Sequence, residues 1–87
     1  MLVVKPIRLS KHAEIQCLER GTTAGEVFAA IRTGFAEPAK HGLMMCRLNF
    51  EFYDEWNGKH YAVKQVAPVF AESEAEIVVV TVYVYYF

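Results

Sequence analysis

The dipeptide Asn57-Gly58, set between Trp56 and Lys59, constrains this chain more than any other feature. Both residues tolerate the positive φ of a two-residue type I′ turn, and such a turn joins antiparallel strands in a defined register. Counting outward from it, Glu51 should face Lys64, Phe52 should face Val63, and Leu48 should face Ala67. One face of the hairpin then collects Leu48, Phe50, Phe52, Tyr61, Val63 and Ala67, and the other Arg47, Asn49, Glu51, Glu55, His60 and Lys64. Gln65 is the one misfit, a polar residue on the apolar side. A slip of one residue would send every side chain to the opposite face, so the expected register is sharp enough to be wrong.

Ahead of the hairpin the apolar period is helical. Ser10 is a good N-cap with Glu14 just inside, which predicts a helix to about Arg20, closed by Gly21 in the left-handed position. Thr23 and Glu26 have capping-box spacing for a second helix that Gly34 ends. In that helix Ala24, Val27, Phe28, Ala30 and Ile31 fall on one broad face, while Glu26, Ala29 and Arg32 face away. A loop from Phe35 to Gly42 carries Pro38, Lys40 and His41. Val3 to Leu9 is β-like, but Pro6 lacks a ladder donor, so it should be an edge strand or extended arm. Ala71 to Glu76 reads as an acidic turn. Ile77 to Phe87 is apolar on both faces, as in a strand inside the sheet or one whose outer face meets another subunit. The expectation is one domain spanning residues 1–87, of α+β class. Two N-terminal helices would pack on one face of a small, mainly antiparallel sheet of three to four strands.

Composition narrows the function. The chain is 54% hydrophobic over 87 residues with a net charge of −1. So small a domain has little interior, which predicts a homodimer that buries some apolar surface. Dedicated nucleic-acid binders have a basic balance, so such a role here needs a local patch. Cys17 and Cys46 sit on apolar faces and are too few for a disulfide framework. Met1 to Leu9 lacks the features of a signal peptide, and the run from Ile77 to Phe87 is too short to span a membrane as a helix. The cytoplasm is the expected compartment.

The candidate chemistry is spread along the chain. His12, Gln16, Glu19 and Arg20 share one polar helical stripe. A first-turn histidine sits near the positive helix end and could serve as a general base, or only help to cap the helix. Arg20 is either a helix-terminal cation or an anion-binding group. Arg47 and Lys64, with His60 towards the hairpin tip, fall on the expected polar face, where positive groups hold phosphates or simply face water. Tyr83 and Tyr85 share a face of the last strand with Thr81, where they would stack on bases or serve as core or interface aromatics. His41 and Cys46 have no second pair to complete a metal site, and neither a metal nor a cofactor is expected.

The Leu-Ser-x-His-Ala start at Leu9, the Glu-Arg-Gly end at Gly21 and the capped second helix resemble a small bacterial domain-of-unknown-function family, number 4258, which is similar to the RelE/BrnT-like toxin superfamily. The likeness continues through Arg47 and Val80-Thr-Val-Tyr83. It implies the helix-on-sheet fold described above and metal-independent cleavage of RNA by basic and aromatic groups. It also implies an antitoxin protein as partner. Carried over by position, His12, Arg20, Arg47 and Tyr83 would be catalytic; Lys64, His60 and Tyr85 are the residues expected to contact RNA. Gln16 departs from the pattern, standing where relatives often have a basic residue. The other functional reading is a non-catalytic binding or assembly module that dimerises through the last strand.

Overall fold

A computed structural model describes residues 5–87; the start of the expected first strand, Val3 and Val4, lies outside the described residues. The fold is α+β. In chain order it comprises β1 (Ile7–Leu9), α1 (Lys11–Arg20), α2 (Ala24–Thr33), β2 (Glu37–Pro38), a 3-10 turn at Lys40–Gly42, β3 (Met44–Met45), β4 (Leu48–Trp56), β5 (Lys59–Glu72) and β6 (Ile77–Tyr86). The sheet has six strands in the order β1-β6-β5-β3-β2, with β4 also pairing β5. It is mixed, since β1 runs parallel to β6 and the other pairs are antiparallel. The strands beyond the expected three to four are two or three residues long, too short to show a period of two. Pro68 lies inside long β5, opposite the break between β3 and β4. The pairs of β3 begin at Val69 and those of β4 end at Val66, so its missing N–H costs no ladder bond there.

The hairpin keeps the expected register only near its turn. Trp56 faces Lys59, Glu55 faces His60 and Asp54 faces Tyr61; further out, Glu51 faces Val63, Phe50 faces Lys64 and Leu48 faces Val66. Phe52 and Tyr53 together stand opposite Ala62, a β-bulge with Tyr53 at φ 44°. The extra residue corrects the expected pairings of Glu51, Phe52 and Leu48 by one position. It brings Lys64 to the helix-covered face beside Phe50 and puts Gln65 on the open face. There Gln65 Nε2 donates to Asn49 Oδ1 at 2.8 Å, and its Oε1 accepts from Arg47 Nη1 at 3.1 Å. The misfit at Gln65 was the trace of the bulge in the sequence.

The caps form as the sequence requires. Ser10 Oγ accepts from Ala13 N at 3.1 Å, Gly21 takes φ 79°, and Thr23 Oγ1 accepts from Glu26 N at 3.2 Å. Between helices and sheet lies a core of Ala13, Cys17, Val27, Cys46, Val66, Phe70, Val79 and Val82. Two expectations for α2 are overturned: Ala24 is exposed, and Glu26 turns inward. The cause of the second is Lys64, which the bulge buries under the turn between α1 and α2. Its Nζ lies 2.7 Å from Glu26 Oε1 and donates to the Gly21 carbonyl at 3.0 Å. At the same end, the ring of Tyr86 is packed by Phe52, Trp56 and Tyr61 at centroid distances of 5.2, 5.1 and 5.6 Å. Its hydroxyl donates to the Arg20 carbonyl at 2.7 Å, and burial pushes its pKa up.

Gly34 closes α2 with extended rather than left-handed backbone, and the glycine is needed for space. A Cβ there would lie 2.6 Å from the Ala30 carbonyl oxygen and 2.8 Å from that of Arg47. Both obstacles are backbone, so Gly34→Ala should cost about 1–3 kcal/mol, read as a lower midpoint in urea unfolding. An unchanged midpoint would show that the α2–β4 contact is slack.

Candidate functional site

The two faces of the sheet differ in kind. Helices cover one; the other is open and contains a groove of about 590 Å³. Arg47, Val69, Thr81 and Tyr83 line it from the sheet, and the segment from Glu37 to Leu43 lines it from the side. That wall exists because β2 folds back on β3 through two successive left-handed residues, His41 at φ 61° and Gly42 at φ 73°. Ala39 N donates to the Leu43 carbonyl at 2.8 Å and closes the loop. A left-handed backbone at a non-glycine residue is uncommon, and here it occurs at an exposed imidazole beside Lys40.

Arg47 is the best-anchored group of the groove. Its Nε donates to Glu37 Oε1 at 3.1 Å, its Nη1 donates to Gln65 Oε1 at 3.1 Å, and its guanidinium carbon lies 5.9 Å from the centre of the Tyr85 ring. Its Nη2 group makes no hydrogen bond among the described residues. Half of the guanidinium is thereby fixed, while the rest remains free to meet an anion.

The expected site residues do not all converge. Arg47 and Tyr83 line the groove, with Tyr85 beside Tyr83 on the same strand face. Arg20 reaches Tyr83 from the end of α1, its guanidinium carbon 5.5 Å from the ring centre. His12 is exposed in the first turn of α1 and lines no part of the groove. The polar stripe that joined it to Arg20 works otherwise: β1 ends at Leu9, opposite Val79, which leaves the edge of β6 unpaired. Gln16 Oε1 accepts from Val82 N at 2.8 Å and Arg20 Nη1 donates to the Val82 carbonyl at 2.7 Å, so the helix clamps that edge. Lys64 is buried on the helix side, which corrects its placement beside Arg47. His60 is exposed near the hairpin tip, opposite Glu55, and is not among the groove residues.

The sequence marks His41 only as half of an incomplete metal pair, and gives Glu37 and Lys40 no role in a site. The available signal was weak, a basic pair followed by glycine within a loop. Cys17 and Cys46 are buried free thiols whose pKa values burial raises, so they remain protonated and unreactive near neutral pH. No group of three or more metal-ligating side chains occurs among the described residues, and no helix there is long and apolar enough to cross a membrane. No protein-family model, curated protein or solved structure matches the chain. The chemistry on hand is therefore a fixed guanidinium, an ammonium, an imidazole, a carboxylate and a phenol around one concave surface. That set is suited to binding a phosphodiester and to stabilising added negative charge on it.

Proposed function

We propose that the open-face groove binds RNA and cleaves it without a metal. The observation that carries this reading is the anchored, half-free guanidinium of Arg47 in a groove shared with Lys40, His41 and Tyr83. In the reaction a ribose 2′-oxygen attacks the neighbouring phosphorus as its proton passes to the His41 imidazole. The bond from phosphorus to the 5′-oxygen breaks, that oxygen takes a proton from water, and the hydroxide so formed recovers the proton held by His41. The products are a 2′,3′-cyclic phosphate and a 5′-hydroxyl. Arg47 and Lys40 meet the charge that builds on the phosphoryl oxygens. A protein that neutralised such an activity would cover this groove.

The test is incubation of the purified chain with RNA in the presence of a metal chelator, together with induced expression in a bacterial host. Wild type and His12→Ala should both generate cyclic-phosphate ends and arrest growth. His41→Ala should do neither. RNA left intact by wild type would end the enzymatic reading, and loss of activity in His12→Ala would move the site to α1.

A second reading rests on another observation. Tyr83, Tyr85 and Phe87 expose apolar surface at the end of β6, at 40%, 44% and 58%. Under it the chain is a non-catalytic module that dimerises there, and Tyr85→Asp would dissociate the dimer while RNA remained intact with every variant.

A further inference from the structure

The open face carries a second feature, which shares Tyr83 with the groove. Tyr83 and Tyr85 are consecutive outward residues of β6, both exposed, with ring centres 6.4 Å apart and planes 18° from parallel. Each ring has a guanidinium over it, Arg20 at 5.5 Å from Tyr83 and Arg47 at 5.9 Å from Tyr85. On the neighbouring strand Tyr83 pairs with buried Ala67 and Tyr85 with Gln65. Buried Val82 takes the core side of the strand, and alternation sends the two rings out on the open face.

Exposed aromatics supported in this way are costly in water and useful to a planar ligand. Base–aromatic stacking tolerates any base, because every base has a π-face. Arginines beside the rings supply the complementary charge for a backbone that carries phosphate. The spacing adds a selection. Stacked bases in a duplex rise about 3.4 Å each. Two bases that stack on the same face of each of these nearly parallel rings instead lie about as far apart as the ring centres, 6.4 Å. A strand held in a duplex cannot spread by that amount without unstacking, whereas a free single strand can.

We propose that Tyr83 and Tyr85, flanked by Arg20 and Arg47, form a stacking platform that takes two adjacent bases of a single-stranded nucleic acid and feeds the neighbouring phosphodiester into the groove. The platform deepens the ribonuclease reading and rests on it for the identity of the strand, but its binding step is independent of cleavage.

The experiment separates the two. A fluorescent eight-nucleotide oligoadenylate with 2′-O-methyl sugars cannot be cleaved by attack of a 2′-oxygen, and its binding is read by anisotropy at low salt. The single strand should bind at least tenfold tighter than the same sequence annealed to its complement. Tyr83→Ala and Tyr85→Ala should each weaken single-strand binding about tenfold, while Tyr85→Phe should bind like wild type, since the ring and not the hydroxyl stacks. Far-UV circular dichroism and the urea midpoint of each variant check that the fold is kept. Equal binding of duplex and single strand, or alanine variants that bind as wild type does, would overturn the platform. So would failure of the oligonucleotide to bind while Tyr85→Ala converts a dimer to a monomer, which would assign the face to a second copy of the chain. Binding with these properties alongside intact unmodified RNA would uphold the platform and reject the cleavage.

Discussion

Glu26→Ala should be among the most destabilising substitutions in the helices, at about 3 kcal/mol, or a fall in Tm of roughly 12–24 °C. Lys64 is 8% exposed, and its ammonium has Glu26 at 2.7 Å and the Gly21 carbonyl at 3.0 Å. Removal of the carboxylate leaves a buried positive charge with one neutral acceptor. Breaking a buried pair from one side costs about 3–5 kcal/mol, and the surviving Gly21 contact holds this case to the lower end. The reverse cut should be milder. In Lys64→Met an unbranched apolar chain takes the place of the ammonium that lies 5.5 Å from the Phe52 ring centre, and Glu26, whose side chain is 25% exposed, keeps the Thr22 hydroxyl at 2.9 Å and access to water. Less than half the loss is expected. In the double variant Lys64→Met with Glu26→Ala no charge is left buried, so much of the loss seen in Glu26→Ala should be recovered. Chemical denaturation of the four proteins closes the cycle. Equal losses from the two single changes would show that the pair, and not the stranded charge, sets the cost.

That pair also marks the limit of what could be read from the sequence. The elements governed by local chemistry were legible: the Ser10 and Thr23 caps, the Gly21 stop, the Asn57-Gly58 turn and the edge position of the strand after Pro6. What was lost in the hairpin follows from one residue. Tyr53 adopts a left-handed backbone that nothing in its side chain demands. The bulge there reverses the parity of β5 against β4, moving Lys64 inward and Gln65 outward. A hairpin turn specifies register only as far as the first bulge, and the Gln65 misfit was the single cue that one existed. The groove was hidden for a different reason. Its wall depends on a pairing of two residues with two, Glu37–Pro38 against Met44–Met45, too short for any period. Arg47 and Tyr83 were legible as candidates, while His41 became one only when the loop folded over the sheet. The His12–Arg20 stripe shows the opposite failure, a pattern that looked like chemistry. Its inward members, Gln16 and Arg20, instead satisfy the Val82 backbone where β1 runs out.

On the proposed ribonuclease reading, Arg47→Ala should lower RNA cleavage by about 10²–10³, the usual effect of removing one preorganised donor that meets transition-state charge. Stability should hardly change. Arg47 and Glu37 are exposed by 45% and 55% at their side chains, and exposed pairs of this kind contribute about 0–1 kcal/mol. Arg47→Lys tests the geometry. Lysine keeps the charge but offers no planar fork, so it cannot hold Glu37 and Gln65 while presenting a further pair of N–H groups to phosphate. If orientation is what matters, Arg47→Lys recovers little of the cleavage, and the loss appears in kcat more than in KM, because the anchored donors act on the developing charge. Full recovery by lysine would reduce Arg47 to a source of positive potential. Gln65→Leu gives the independent control, since it removes the Nη1 anchor without touching the charge. A fall in kcat with that variant, at unchanged unfolding free energy, would tie the activity to the way the bulge aims Gln65 at Arg47.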